Sequence, residues 1–204
     1  MCIQNVVNLN MNFYSKEELE TIGLASFGEN VLISRKASIY NAGRISVGSY
    51  VRIDDFCVLS AGAGRIEFGS FIHVGVYSCL IGAGRISVGD YSNISSRVSI
   101  YSSNDDYSGG HLTNPMVPTE FTSVFSAQVS IGRHVIIGSG SIILPGVTIA
   151  EGAAIGGLSL VKRDCEGFTI YGGVPARRLG DRSRELLGLE ARHRAGDPLK
   201  QKGG

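Results

Sequence analysis

The stretch Ile131-Gly132-Arg133-His134-Val135-Ile136-Ile137, continued through Ile143, Ile149, Ile155 and Val161, places an aliphatic residue at every sixth position without a miss. Four residues after each stands a smaller one: Val135, Ser141, Val147, Ala153, Ser159 and Cys165. Neither helical nor alternating-strand periodicity keeps a beat of six. A coil with sides six residues long does, and hexapeptide periodicity is the mark of a parallel β-helix.

The same beat runs upstream in blocks: Val47, Ile53, Leu59, then Phe68, Val74, Leu80, then Val88, Ile94, Ile100. A longer repeat accounts for the register slips between them. Ala42-Gly43-Arg44-Ile45-Ser46-Val47-Gly48 recurs from Ala63 and again from Ala83, and Gly43, Gly64 and Gly84 are spaced by 21 and then 20 residues. Each unit reads as one coil of three sides plus a corner bulge, where these glycines are expected to supply positive φ angles. Phe27, Ile33 and Ile39 add a coil upstream. About six coils at ~4.8 Å per strand make a column ~30 Å tall.

Composition agrees with a thin core. Glycine supplies 28 of 204 residues, and many follow the aliphatic position, as Gly48, Gly69, Gly75, Gly89, Gly132, Gly138 and Gly156 do. Tryptophan is absent. An antiparallel sandwich would instead alternate every second residue, with turns at irregular intervals. The net charge of +1 gives no global pull toward nucleic acid or a membrane surface. No apolar run reaches spanning length, and Met1-Cys2-Ile3-Gln4-Asn5 lacks a secretory pattern, so a cytoplasmic enzyme without a membrane span is expected. Cys2, Cys57, Cys79 and Cys165 are scattered; Cys57 and Cys165 fall on small inward positions and read as buried, inert thiols.

Three segments depart from the beat. Residues 1–25 read as an extension plus a short capping helix over 15–22, opened by the capping box Ser15-Lys16-Glu17-Glu18. Residues 102–127 lose the period altogether, and an excursion of that length inside an array is expected to be functional. Regular coils resume near 129 and are expected to end near 166, and Gly172-Gly173-Val174-Pro175-Ala176-Arg177-Arg178 reads as a turn leaving the array. Residues 181–204 read as a helix with Asp181 as N-cap, then a polar tail.

At Ile131-Gly132-Arg133-His134-Val135-Ile136-Ile137-Gly138-Ser139, Leu144-Pro145-Gly146-Val147-Thr148-Ile149 and Gly173-Val174-Pro175-Ala176-Arg177, the sequence resembles the hexapeptide-repeat acyltransferases. It is most similar to the galactoside and maltose O-acetyltransferases and to the acetyltransferases of bacterial surface-polysaccharide sugars. The resemblance covers about residues 26–180. It implies a left-handed parallel β-helix, a homotrimer, acetyl-CoA as donor, and active sites in the grooves between neighbouring prisms. The implied acceptor is a hydroxyl or amino group of a sugar or nucleotide-sugar, in surface-polysaccharide biosynthesis.

Acyl transfer from a thioester needs a positioned nucleophile, a proton acceptor and oxyanion stabilisation. By resemblance, the coenzyme A contacts fall on Ser139, Gly157, Lys162, Arg163 and Arg177, and Arg178 is placed to assist. The small Gly157 admits the pantetheine arm, and the cations suit phosphates. A further arginine of the family pattern, three residues after Arg177, is Gly180 here. The base is less clear in the sequence. The family's histidine position corresponds to Asp105, flanked by Asn104 and Asp106, and the one histidine of the excursion is His111. Three readings stay open: His111 folds back as general base, Asp105 or Asp106 takes the proton, or an amine acceptor arrives already neutral. His73 and His134 are expected to point outward from coils, in surface roles.

Two other functions share such a prism. A metal lyase like the γ-class carbonic anhydrases needs three histidine ligands, and no two histidines here have the close spacing of that class. A noncatalytic scaffold would show no stabilisation by coenzyme A.

Overall fold

The computed structural model describes residues 12–196. The readings of residues 1–11, Cys2 included, and of the tail from 197 onward lie outside the described residues.

Three parallel sheets form the sides of a prism. The first face is the six-stranded sheet carrying Ile45–Val47, Ile66–Phe68, Ile86–Val88, Val129–Ile131 and Thr148–Ile149. The second is eight-stranded and includes Val51–Ile53, Ile72–Val74, Asn93–Ile94, Ile136–Ile137, Ala154–Ile155 and Thr169–Gly172. The third is six-stranded and ends with Ser99–Tyr101, Ile142–Ile143 and Leu160–Val161. Ile94 lies beside Val74 and Ile137, and Ile100 beside Leu80 and Ile143, so the six-residue beat becomes vertical columns of aliphatics.

The beat residues are interior. Ile131, Ile137, Ile143, Ile149, Ile155 and Val161 are all buried, as are the six smaller residues that alternate with them. Fully burying such an aliphatic contributes about 1.5–3 kcal/mol. The buried hydroxyls are satisfied locally: Ser141 Oγ donates to Gly156 O at 3.0 Å and Ser159 Oγ to the same carbonyl at 2.6 Å. Burial pushes the thiols of Cys57 and Cys165 up to about 11, which keeps them protonated and unreactive.

The corners differ from expectation. Gly43, Gly64 and Gly84 do not have positive φ. The left-handed positions come three residues after inward aliphatics, at Tyr50, Phe56, Phe71, Tyr77, Tyr91, Arg97, His134 and Leu158, with φ from +55° to +62°. Side chains there stand outside the prism and stack up the corners. Tyr50, Phe71, Tyr91 and His134 make one such ladder, with centroid spacings of 4.9, 4.7 and 5.1 Å. Gly64 and Gly84 serve close approach instead: a Cβ on Gly64 would lie 2.5 Å from the Gly84 carbonyl.

The excursion leaves the prism after Tyr101 and returns in register, because Ile86–Val88 pairs directly with Val129–Ile131. Its stem is a short antiparallel pair, Ser103–Asn104 with Phe125–Ser126, and a 3₁₀ turn lies at Thr119–Phe121.

Helix α1, Lys16–Ile22, caps the N-terminal end. Its capping box is formed as the sequence predicts, Leu19 is buried, and Glu18 pairs with Arg35 at 2.6 Å. The array runs beyond 166, because Thr169–Gly172 adds a further parallel strand beside Ala154–Ile155. The segment after it is a hairpin: Arg177–Asp181 returns antiparallel on Thr169–Gly172. Asp181 therefore caps no helix; it ends that strand and pairs with Arg178 at 2.6 Å. Helix α2, Glu185–Arg194, begins later, after Arg184. Its Glu190 is buried against the prism and accepts from Arg133, from Arg194 at 2.7 Å, and faces His134 Nε2 at 2.5 Å. His134 is thus buried beneath α2, a correction to its expected surface role. Among the described residues, no helix is long and apolar enough to cross a membrane.

Candidate active site

The C-terminal end of the array builds a basic cleft. Gly173, at φ +100°, turns the chain after the last parallel strand. The turn is tied to the third face by Leu160 N donating to Gly173 O at 3.0 Å and Ala176 N donating to Leu160 O at 2.8 Å. Lys162, Arg163, Arg177 and Arg178 line a cavity of about 240 Å³ there, with Val161, Asp164, Cys165, Tyr171 and Ala176; the one carboxylate among them, Asp164, accepts from Thr148 N at 2.7 Å. Of the four cations, Arg178 is held by Asp181; Lys162, Arg163 and Arg177 have no carboxylate partner among the described residues. Such a set fits a phosphate-rich ligand.

Ser139 and Gly157 lie outside this cavity, on the corner between the second and third faces. They stack on one another: a Cβ on Gly157 would sit 3.2 Å from Ser139 O, and one on Gly138 would sit 2.4 Å from Gly157 N. Gly157 leaves its backbone without a side chain beside the exposed Leu158, so an extended amide-bearing arm can approach it there. Ser139 Oγ lies 3.2 Å from Ser96 Oγ, one coil toward the N-terminus.

A second recess, of about 500 Å³, lies under the loop stem against the third face. Asn104 and Asp105 line it with Ser103, Tyr101 and Tyr107, over an apolar floor that includes Ile142, Leu144 and Leu160. Leu160 lines this recess, and its chain neighbour Val161, which turns inward, lines the basic cleft, so one strand contributes to both.

His111 and Asp106 line neither cavity. They pair with each other, His111 Nδ1 lying 3.1 Å from Asp106 Oδ2, on an exposed part of the loop. Hydrogen bonds from the Ser108 side chain and backbone, and then from His111, hold the Asp106 carboxyl down to about 2. It is an anion at any physiological pH and a poor proton acceptor.

His73 points outward from its coil, as the sequence predicts, but the two partners that order it there are not legible in the sequence. His73 on the second face has Nε2 2.8 Å from Asp54 Oδ2 and Nδ1 3.1 Å from Asn93 Oδ1. The signal for it was vertical: positions 73 and 93 are register partners, visible only once the coils are aligned.

Stacked hexapeptide coils ending in a basic cleft fit a β-helical acyltransferase. The comparisons carry this further. No family model matches the chain. Over 181 residues it is 55% identical to the dTDP-4-amino-4,6-dideoxy-D-glucose acyltransferase of Escherichia coli, covering 89% of this chain and 94% of that protein. It superposes with a TM-score of 0.86 and 46% identity, over 91% of this chain and 98% of that one, on a mutant of AntD, an N-acyltransferase from Bacillus cereus, in complex with dTDP-4-amino-4,6-dideoxyglucose and coenzyme A. It is also 28% identical over 148 residues, 71% of this chain and 72% of that protein, to the putative lipopolysaccharide biosynthesis O-acetyl transferase WbbJ of Escherichia coli. The chain belongs to the hexapeptide-repeat sugar acyltransferases, enzymes whose donor is a coenzyme A thioester.

Proposed function

We propose that this enzyme acylates the amino group of a nucleotide-linked 4-amino-4,6-dideoxy sugar of the dTDP class, in bacterial surface-polysaccharide biosynthesis. The observation that carries the donor half is that Lys162, Arg163, Arg177 and Arg178 line one cleft, which shares a strand with the loop-covered recess. Relatives with the same printed chemistry support the acceptor half.

In this reading residues 26–180 are the catalytic unit. The four cations hold the donor's phosphates, and Ser139 and Gly157 line the path of its pantetheine arm. Asn104 and Asp105 meet the acceptor. The neutral amine attacks the thioester carbonyl, a C–N bond forms, the C–S bond breaks, and the sulfur leaves as thiolate. Asp105 takes the ammonium proton, while the Asp106–His111 pair shapes the loop. Positioning two substrates in one groove supplies much of the rate.

The enzyme works in the cytoplasm, where nucleotide sugars and coenzyme A thioesters are both supplied, and as a homotrimer. The loop supports the trimer: Tyr107, Met116, Phe121, Val124 and Phe125 are exposed on one excursion, an apolar surface suited to a neighbouring prism. Incubation with acetyl-CoA or 3-hydroxybutyryl-CoA and dTDP-4-amino-4,6-dideoxyglucose, followed by thiol release and mass of the product, tests the reading. Stoichiometric thiol and an acylated sugar nucleotide are expected. Release of thiol with no change in the sugar nucleotide would overturn it.

A further inference from the structure

The corner that carries Ser139 and Gly157 continues toward the N-terminus as a column of flat groups. Lys36 Nζ lies 5.4 Å from the Phe56 centroid, Phe56 stacks on Tyr77 at 5.0 Å and 13°, and the Arg97 guanidinium lies 5.8 Å above Tyr77. The two ends of this column are not equivalent. Lys36 is neutralised by Asp55 at 2.8 Å. The other cations that sit on rings, Arg35, Arg52 and Arg194, also reach carboxylates, at 2.6, 2.7 and 2.7 Å. Arg97 does not, among the described residues; nor does Arg184, which covers Phe168 at the opposite corner.

Arg97 is also exposed and adjoins the donor path. Its neighbour Ser96 touches Ser139, and Gly140 N donates to Ser96 O at 3.0 Å. The basic cleft is two to three coils away, ~10–15 Å at the usual strand spacing. One diphosphate held by Lys162, Arg163, Arg177 and Arg178 therefore leaves Arg97 beyond its reach. Arg97 is a planar, permanently charged fork set over the Tyr77 ring, with no carboxylate partner among the described residues.

We propose that Arg97 anchors the diphosphate of the acceptor nucleotide sugar, at a subsite separate from that of the donor phosphates. The inference rests on the nucleotide-sugar reading above. Tyr77 backs the guanidinium, and the bound diphosphate directs the sugar along the groove toward the thioester. Arg97 is then a specificity determinant: it favours sugars carried on a diphosphate over free glycosides.

The test is titration calorimetry of the full-length wild type, Arg97→Gln and Arg97→Lys with dTDP and, separately, with coenzyme A. Loss of a charge-assisted contact predicts dTDP binding about tenfold or more weaker in Arg97→Gln, with Arg97→Lys in between. Coenzyme A affinity is expected to stay unchanged in both, which also reports an intact fold. Unchanged dTDP affinity overturns the proposal. So does weaker coenzyme A binding, alone or together with dTDP, since that would assign Arg97 to the donor or to the frame of the corner. A wild type that binds coenzyme A but no dTDP would remove the nucleotide-sugar reading itself.

Discussion

Asp105 and Asp106 are adjacent in the chain and have opposite surroundings. Asp106 is locked by Ser108 and His111, whereas Asp105 lines the recess under the loop stem. Asp105→Asn is expected to lower kcat by about 10²-fold or more, the usual scale of general-base catalysis, and His111→Ala to cost far less. Steady-state turnover with the amino-sugar nucleotide checks this; near-normal rates in both variants would favour an acceptor amine that needs no protein base. Asp106 gives a pH prediction of definite sign. Its folded pKa, about 2, lies below the ordinary 3.8, so its contribution to the loop is present above about pH 4 and lost as pH falls toward 2. The Ser108 amide resonance should follow that titration. Glycines divide in the same way. Gly138→Ala drives a Cβ against Gly157 N and is expected to cost about 1–3 kcal/mol, whereas Gly180→Ala meets nothing and should stay within about 0.5 kcal/mol by denaturant melts.

At the scale of elements, α2 is held to the prism chiefly through one carboxylate. Glu190 gathers Arg133, His134 and Arg194, and His193 sets its ring edge-on to Phe71 and Tyr91 at 5.1 and 5.8 Å. Burial alone would raise the Glu190 pKa, but the His134 hydrogen bond and the Arg133 charge outweigh it and lower it. Glu190→Ala is expected to free α2 without melting the coils: trypsin should cut at Arg192 and Arg194 at least tenfold faster while the main thermal transition moves little. Cleavage at the wild-type rate would contradict this. None of this clasp is legible in the sequence. His134 and Glu190 are 56 residues apart, and no local pattern says that a helix will cover that corner. The start of α2 was misread for a related reason. Asp181 has a good capping side chain, but hairpin pairing with Thr169 claims its backbone first. The N-terminal capping box was legible because Ser15 and Glu18 satisfy each other within one turn.

The whole molecule follows from the beat of six. That beat specified the inward residues and the return of the chain after the excursion, because every sixth side chain must find the same narrow interior. The corner geometry was hidden, because left-handed corner positions are filled here by Tyr, Phe, Arg and His more often than by Gly, and composition does not reveal them. Of the site, the basic cleft was legible through its motif, while the separation of Asp105 from Asp106 and His111 needed the loop's own hydrogen bonds. Ile143→Asp would put an unpaired charge among fully buried aliphatics at a cost comparable to the entire stability of a domain, about 5–15 kcal/mol. Far-UV circular dichroism should find it unfolded; a folded variant would contradict the inward assignment.

The basic cleft is the proposed donor site, and every role assigned around it depends on that. The Michaelis constant for acetyl-CoA in Lys162→Ala/Arg177→Ala tests that most directly. It is expected to rise about tenfold or more over wild type, with kcat at saturating donor little changed. A Michaelis constant equal to that of the wild type would contradict it.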